Sequence, residues 1–116
     1  MVKDADITHS KMELELRRGV IVLAALSQLK SEQYGYSLRQ ALREKGMDIE
    51  EGTLYPLLRR LEKQGLLTSE WRVGEGPPRR YYHLSPDGKR LYLKLAKTWR
   101  ALGAVMDDLI GEGTVR

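Results

Sequence analysis

Between Glu51 and Leu67 the chain alternates apolar and polar positions with the period of a helix. At about 100° per residue, Leu54, Leu57, Leu58 and Leu61 share one arc, while Gly52, Pro56, Arg59 and Lys63 share the opposite one. The pattern predicts a helix that starts near Glu51 to Thr53 and ends at Gln64, with Gly65 as its cap. Pro56 lies near enough to the first turn to be tolerated with local distortion. Upstream, Lys11 to Leu29 reads as a first helix whose stretch Gly19 to Leu26 is apolar nearly all round and belongs in the interior. Such a run also suits a buried strand, but the helix-forming Glu13, Leu14, Glu15, Leu16 and Arg17 before it favour a helix. After a polar connection from Lys30 to Tyr34, Gly35 to Lys45 forms a second helix, with Leu38, Ala41 and Leu42 at helical spacing and Gly46 as cap. Only Met47 to Glu50 separates it from the leucine-striped helix, and so short a turn sets two helices at an angle, as in a helix-turn-helix.

Downstream the period changes. Leu67 to Val73 reads as a strand, Gly74-Glu75-Gly76-Pro77-Pro78 as a turn, and Arg79 to Leu84 as a second strand. Ser85 suits the N-cap of a last helix and Pro86 its first position, where a missing N–H does no harm. From there Tyr92, Leu95, Trp99, Leu102, Met106 and Leu109 recur at spacings of three and four residues, a seam that runs to about Ile110 and outreaches a small core. Part of it can pack on the first helix; a helix from a second subunit is the natural cover for the rest. The expected architecture is mainly α with a small β-hairpin: a winged helix-turn-helix over residues 11–84, a dimerisation helix over 85–111, and flexible ends at 1–10 and 112–116.

Composition narrows the chemistry. The 116 residues contain no Cys and no Phe. Disulfides, thiolate metal sites and cysteine nucleophiles are therefore excluded, and the core has to be built from leucine and other aliphatic residues. The absence of cysteine fits a reducing cytosol, and no apolar run approaches the ~20 residues that cross a bilayer, so a cytoplasmic protein without membrane association is expected. Net charge is +4, but Gly52 to Arg100 alone holds eleven Lys/Arg against four Asp/Glu. Basic charge gathered on one helix and hairpin is the footprint of nucleic-acid binding; a solvated surface in a highly charged chain is the bland alternative.

Two blocks carry a resemblance. One is Glu51-Gly52-Thr53-Leu54-Tyr55-Pro56 with Leu58-Arg59-Arg60-Leu61-Glu62 and Gly65-Leu66 behind it; the other is Gly76-Pro77-Pro78-Arg79-Arg80-Tyr81-Tyr82 with Leu84 and Ser85. With Leu16-Arg17-Arg18-Gly19 and Gly35-Tyr36, these blocks resemble the PadR-like transcriptional regulators over roughly Leu14 to Leu91. The chain departs from the family pattern at Tyr34, where members often have His, and at Ser85-Pro86, where Thr-Glu or Thr-Pro is common. The single helix after Leu91 is similar to the short-chain branch of that family. The resemblance implies a homodimer that binds a double-stranded DNA operator, acts as a repressor, and is relieved by a small planar hydrophobic effector or another signal. It also implies that Trp99 stacks such a compound between subunits, with Leu95, Leu102 and Met106 lining the pocket; a purely structural interface tryptophan is the alternative.

The candidate DNA-reading residues follow from the predicted geometry. The N-terminal part of the leucine-striped helix enters the major groove, so Thr53, Tyr55 and Pro56 meet base edges and sugar, and Gly52 permits close backbone approach. Arg59, Arg60 and Lys63 are placed for phosphates, Arg59 also for a base. Tyr55 has a competing reading as a residue partly buried against the second helix with its hydroxyl bonded internally. In the hairpin, Arg79 and Arg80 adjoin a Gly-Pro-Pro turn and suit phosphate or minor-groove contact, but adjacent strand residues point opposite ways, so only one faces DNA. Tyr81 and Tyr82 split in the same manner, one of them going to the core. His9 and His83 make no metal constellation, and no motif brings a nucleophile, a base and an orienting acid together, so neither a metal, a cofactor nor enzyme activity is expected. Two other readings stand beside the regulator: a winged-helix adaptor that binds a protein partner, and a drug-binding scavenger with vestigial DNA contacts.

Overall fold

In a computed structural model, which describes residues 4–111, the chain forms α1 (Asp4–Gln28), β1 (Gln33–Tyr34), α2 (Gly35–Glu44), α3 (Glu51–Lys63), β2 (Leu67–Arg72), β3 (Arg79–Leu84) and α4 (Pro86–Ile110). The strands make one antiparallel sheet in the order β1-β3-β2. This is the expected mainly α winged helix-turn-helix with a long last helix.

Leucine supplies most of the core. Leu54, Leu57, Leu58 and Leu61 of α3 turn inward as their spacing predicts, and meet Ala25 and Leu26 of α1, Leu29 just after it, Leu38 and Leu42 of α2, and Leu67, Tyr82 and Leu84 of the sheet. Each fully buried leucine contributes about 1.5–3 kcal/mol relative to an exposed one. Gly46 and Gly65 end α2 and α3 with φ of 96° and 81°, a left-handed geometry open to glycine at little cost. Ser85 caps α4 as expected, its Oγ accepting the Gly88 N–H at 3.0 Å. Pro56 leaves the Gly52 carbonyl without its usual helical donor, yet α3 is continuous; both residues lie exposed, where water can satisfy that carbonyl.

The structure corrects two expectations. Residues 4–10 are not a loose arm: α1 spans Asp4–Gln28, with Asp4 and Asp6 in its first turn, where carboxylates interact favourably with the helix dipole. Residues 1–3 and 112–116 of the expected flexible ends lie outside the described residues. The polar connection before α2 also contains structure, because Gln33 and Tyr34 pair with Tyr82 and Tyr81 of β3 and turn the hairpin into a three-stranded sheet.

Both long helices outrun the core. Residues 4–19 of α1 are exposed, and on α4 only Gly88 is buried, with Leu91, Tyr92 and Leu95 packed partly against the core. The radius of gyration is 17.0 Å, against about 13 Å for a compact domain near this size. Accessible area tells the same story: 9008 Å² for a 13.3 kDa chain, where a folded monomer of that mass exposes about 6,500 Å².

Candidate nucleic-acid interface

Because the leucines of α3 face the core, its other side is offered to solvent. Gly52, Thr53, Pro56, Arg59, Arg60 and Lys63 are all exposed. The helix-turn-helix angle that presents them is held by Arg39 of α2, whose Nε donates to the Ile49 carbonyl at 2.8 Å while its guanidinium lies 3.8 Å from both Asp48 and Glu51. Sequence reasoning missed Arg39, since its partners sit in the turn and on the next helix.

Two clefts flank the basic face. Toward α1, Leu14, Arg18 and Ile21 face Thr53, Pro56 and Arg60 across a groove of about 470 Å³. Toward the sheet, Tyr34, Gly35 and Tyr36 face Tyr55, Arg59, Pro78 and Arg79 across one of about 270 Å³. Exposed arginines thus border α3 on both sides, an arrangement that can straddle a groove between two phosphate strands.

Tyr55 packs against α2. It is half-buried, and its ring lies on Gly35, where an added Cβ would sit 2.6 Å from Cε1, so the close approach of α2 and α3 depends on that glycine. Burial, then the neighbouring Glu51 carboxylate, raises its phenol above the ordinary 10.0, which keeps the hydroxyl protonated at neutral pH. The packed ring fixes the start of α3 against α2.

The two arginines of β3 separate as strand alternation requires. Arg80 is turned inward: its Nε donates to Ser69 Oγ at 3.0 Å and its guanidinium pairs with Glu62 of α3, which also accepts from Ser69. Of the two arginines expected at the hairpin, Arg80 is thus the one turned inward, and it fastens the sheet to α3. Arg79 is exposed, with its guanidinium carbon 4.4 Å from the centroid of the Tyr34 ring. Tyr82 is buried and its phenol raised above 10.0, chiefly by that burial, whereas Tyr81 is half-buried. His83 is a surface strand residue within 2.7 Å of Thr68 Oγ1.

Away from this face, α4 presents the predicted seam. Trp99 is 50% exposed, Leu102 54% and Leu109 73%, while Tyr92 and Leu95 are half-buried. Leu16, Gly19, Val20 and Leu23 of α1 join Leu95, Trp99, Leu102 and Met106 to line an almost wholly apolar groove of about 370 Å³. The expected pocket residues do come together, with a wall from α1 that sequence reasoning did not assign. Among the described residues no helix is long and apolar enough to cross a membrane, and no cluster of three or more His, Cys, Asp or Glu side chains could hold a metal ion.

A leucine-backed helix with a basic outer face, set by a tight turn and flanked by a three-stranded wing, defines a winged helix-turn-helix protein. Residues 22–94 match the model of the transcriptional regulator PadR-like family. The chain belongs to the PadR-like family of transcriptional regulators. It is 41% identical over 81 residues to the transcriptional regulator Rv3488 of Mycobacterium tuberculosis, covering 70% of this chain and 73% of that one. Its fold superposes on the crystal structure of a PadR family transcriptional regulator from Eggerthella lenta with a TM-score of 0.83, at 44% identity over 93% of this chain and 96% of the other. A transcriptional regulator from Clostridium thermocellum gives a TM-score of 0.76 at 30% identity, covering 83% and 98%.

Proposed function

We propose that this transcriptional regulator is a homodimeric DNA-binding repressor that reads a roughly palindromic operator through two copies of α3 about one DNA turn apart. The observation that carries the reading is the exposed row Gly52, Thr53, Pro56, Arg59 and Lys63, backed by a fully packed leucine stripe and bordered by Arg60 and Arg79. Pairing through α4 and the outer part of α1 covers the apolar seam and accounts for the surplus accessible area.

Binding of a labelled duplex from the region upstream of the protein's own coding sequence, followed by fluorescence anisotropy across a salt series, tests the reading. Arg59→Ala is expected to weaken binding by about 1–3 kcal/mol, the value of a base contact. Lys63→Ala is expected to lower affinity similarly on specific and scrambled duplexes and to reduce the slope of log K against log salt by about 1. Unchanged affinity in both variants would favour the protein-binding adaptor.

Repression is relieved, in this reading, by a planar hydrophobic compound stacked on Trp99 in the groove between α1 and α4. The groove's size and apolar walls support that occupant. In a Trp71→Phe background Trp99 is the single tryptophan, and a planar hydrophobic dye is expected to quench its fluorescence saturably and to release DNA. Quenching without DNA release would point to the scavenger; absence of quenching leaves Trp99 a structural interface residue.

A further inference from the structure

At the turn end of the wing, Arg72 and Arg79 stand directly opposite each other on β2 and β3. Like charges in that position repel, so each guanidinium needs a partner. Arg72 has carboxylates: Glu70 at 2.7 Å, and Glu32 before β1. Arg79 has none among the described residues; its guanidinium lies over the face of Tyr34 instead. The Tyr34 ring meets Tyr81 edge-on at 5.4 Å and stacks beside Tyr36 at 6.4 Å, while the Tyr81 face carries Arg72 at 4.6 Å. The backbone beneath is fixed as well. Tyr34 pairs with Tyr81 in the sheet and precedes the first turn of α2, where Ser37 Oγ accepts its N–H at 3.0 Å and donates to Gln33 at 2.7 Å.

We propose that Tyr34 is a positioning residue for DNA contact: its ring is the platform that holds the unpaired Arg79 guanidinium at the mouth of the cleft between wing and α3, aimed at the sugar-phosphate backbone. The inference rests on the DNA-binding reading above. A free arginine at a hairpin tip samples many rotamers and loses that freedom on binding; one already stacked on an aromatic face loses less. The platform leaves the outer face and edge N–H groups of the guanidinium open to a phosphate. Carboxylate-paired Arg72 is a poorer phosphate ligand, so the asymmetry between two facing arginines designates the reader.

The test uses the full chain and two labelled duplexes, one from upstream of its own coding sequence and one scrambled. Arg79→Ala is expected to weaken binding to both by about tenfold and to lower the salt slope by about 1. Tyr34→Leu, which keeps an apolar residue in β1 without a ring, is expected to weaken both by about three- to fivefold. Tyr34→Phe, which keeps the ring, should stay within about twofold of wild type. In an Arg79→Ala background, Tyr34→Leu should cost nothing further. A readout in the free protein keeps the question open to refutation even if affinity responds to general loosening: the Arg79 side-chain proton resonances should be shifted upfield by the ring in wild type and Tyr34→Phe, and return to ordinary positions in Tyr34→Leu. Losses that multiply in the double variant, or a wild-type Arg79 without the ring-current shift, overturn the role of Tyr34. A loss confined to the chain's own duplex overturns the backbone assignment. Arg59→Ala in the same series separates the two levels: if it weakens binding while the Tyr34 and Arg79 losses multiply, only the platform fails, and if the wild type binds neither duplex, the DNA reading fails with it.

Discussion

Replacing Gly88 with alanine is expected to be among the most destabilising single-methyl changes in the molecule. Gly88 sits in the first turn of α4, buried, and a Cβ there would lie 1.9 Å from the carbonyl oxygen of Leu66. That oxygen cannot step aside like a side-chain tip, because it is main chain and already accepts the Ser85 N–H at 3.0 Å. Ser85 Oγ meanwhile donates to the Gly65 carbonyl at 2.6 Å and accepts from Gly88, so one compact knot joins the end of α3 to the start of α4. Overpacking against backbone costs about 3 kcal/mol or more, and the gain in helix propensity from Gly to Ala returns at most about 1. A fall of several degrees in thermal midpoint, about 10 °C at the upper end, should appear in circular dichroism melts. Gly52→Ala is the control, since nothing lies within 4 Å of a Cβ at that position. Equal midpoints for the two variants would show that α4 and the Gly65-Leu66 turn are not in such close contact.

Placing aspartates at Leu102 and Met106 is expected to abolish tight operator binding without touching the reading helix. Both side chains are exposed in the single chain, so the substitutions leave the winged-helix core intact. In the proposed dimer they bury carboxylates in an apolar seam, a cost the association cannot carry. Light scattering should report a monomer with unchanged helical content. Loss of the second half-site removes the effective-concentration advantage, which reduces operator affinity by about 10²–10⁴-fold. A monomer that binds the operator as tightly as the wild type contradicts two-copy reading.

How far each of these features was legible in the sequence depends on how local its cause is. The α3 stripe and the Ser85-Pro86 start of α4 are written in neighbouring residues, and the structure has them where the spacing puts them. The hairpin was legible for the same reason, its strands being interrupted by a glycine- and proline-rich turn. β1 was not, because two residues carry no periodicity and become a strand only by pairing with β3, far along the chain. Alternation showed that Arg79 and Arg80 must part, but the choice between them is made by Glu62 on α3. Tyr34 stood out only as a departure from the family pattern; its contacts with Tyr81 and Arg79 are tertiary. The helical start of α1 escaped notice because an element that no core covers need show no apolar stripe. Gly88 gave no signal at all, since what demands glycine is a carbonyl on the far side of the sheet sequence.

The Glu62, Ser69 and Arg80 cluster has a mechanical meaning. It welds α3 to both long strands of the wing, while Arg39 braces α3 against α2 at the opposite end. Each head is in effect one solid jaw. In the proposed dimer the pair works like calipers whose jaws do not bend, so a signal that opens or closes them has to act at the pivot, where α1 and α4 meet.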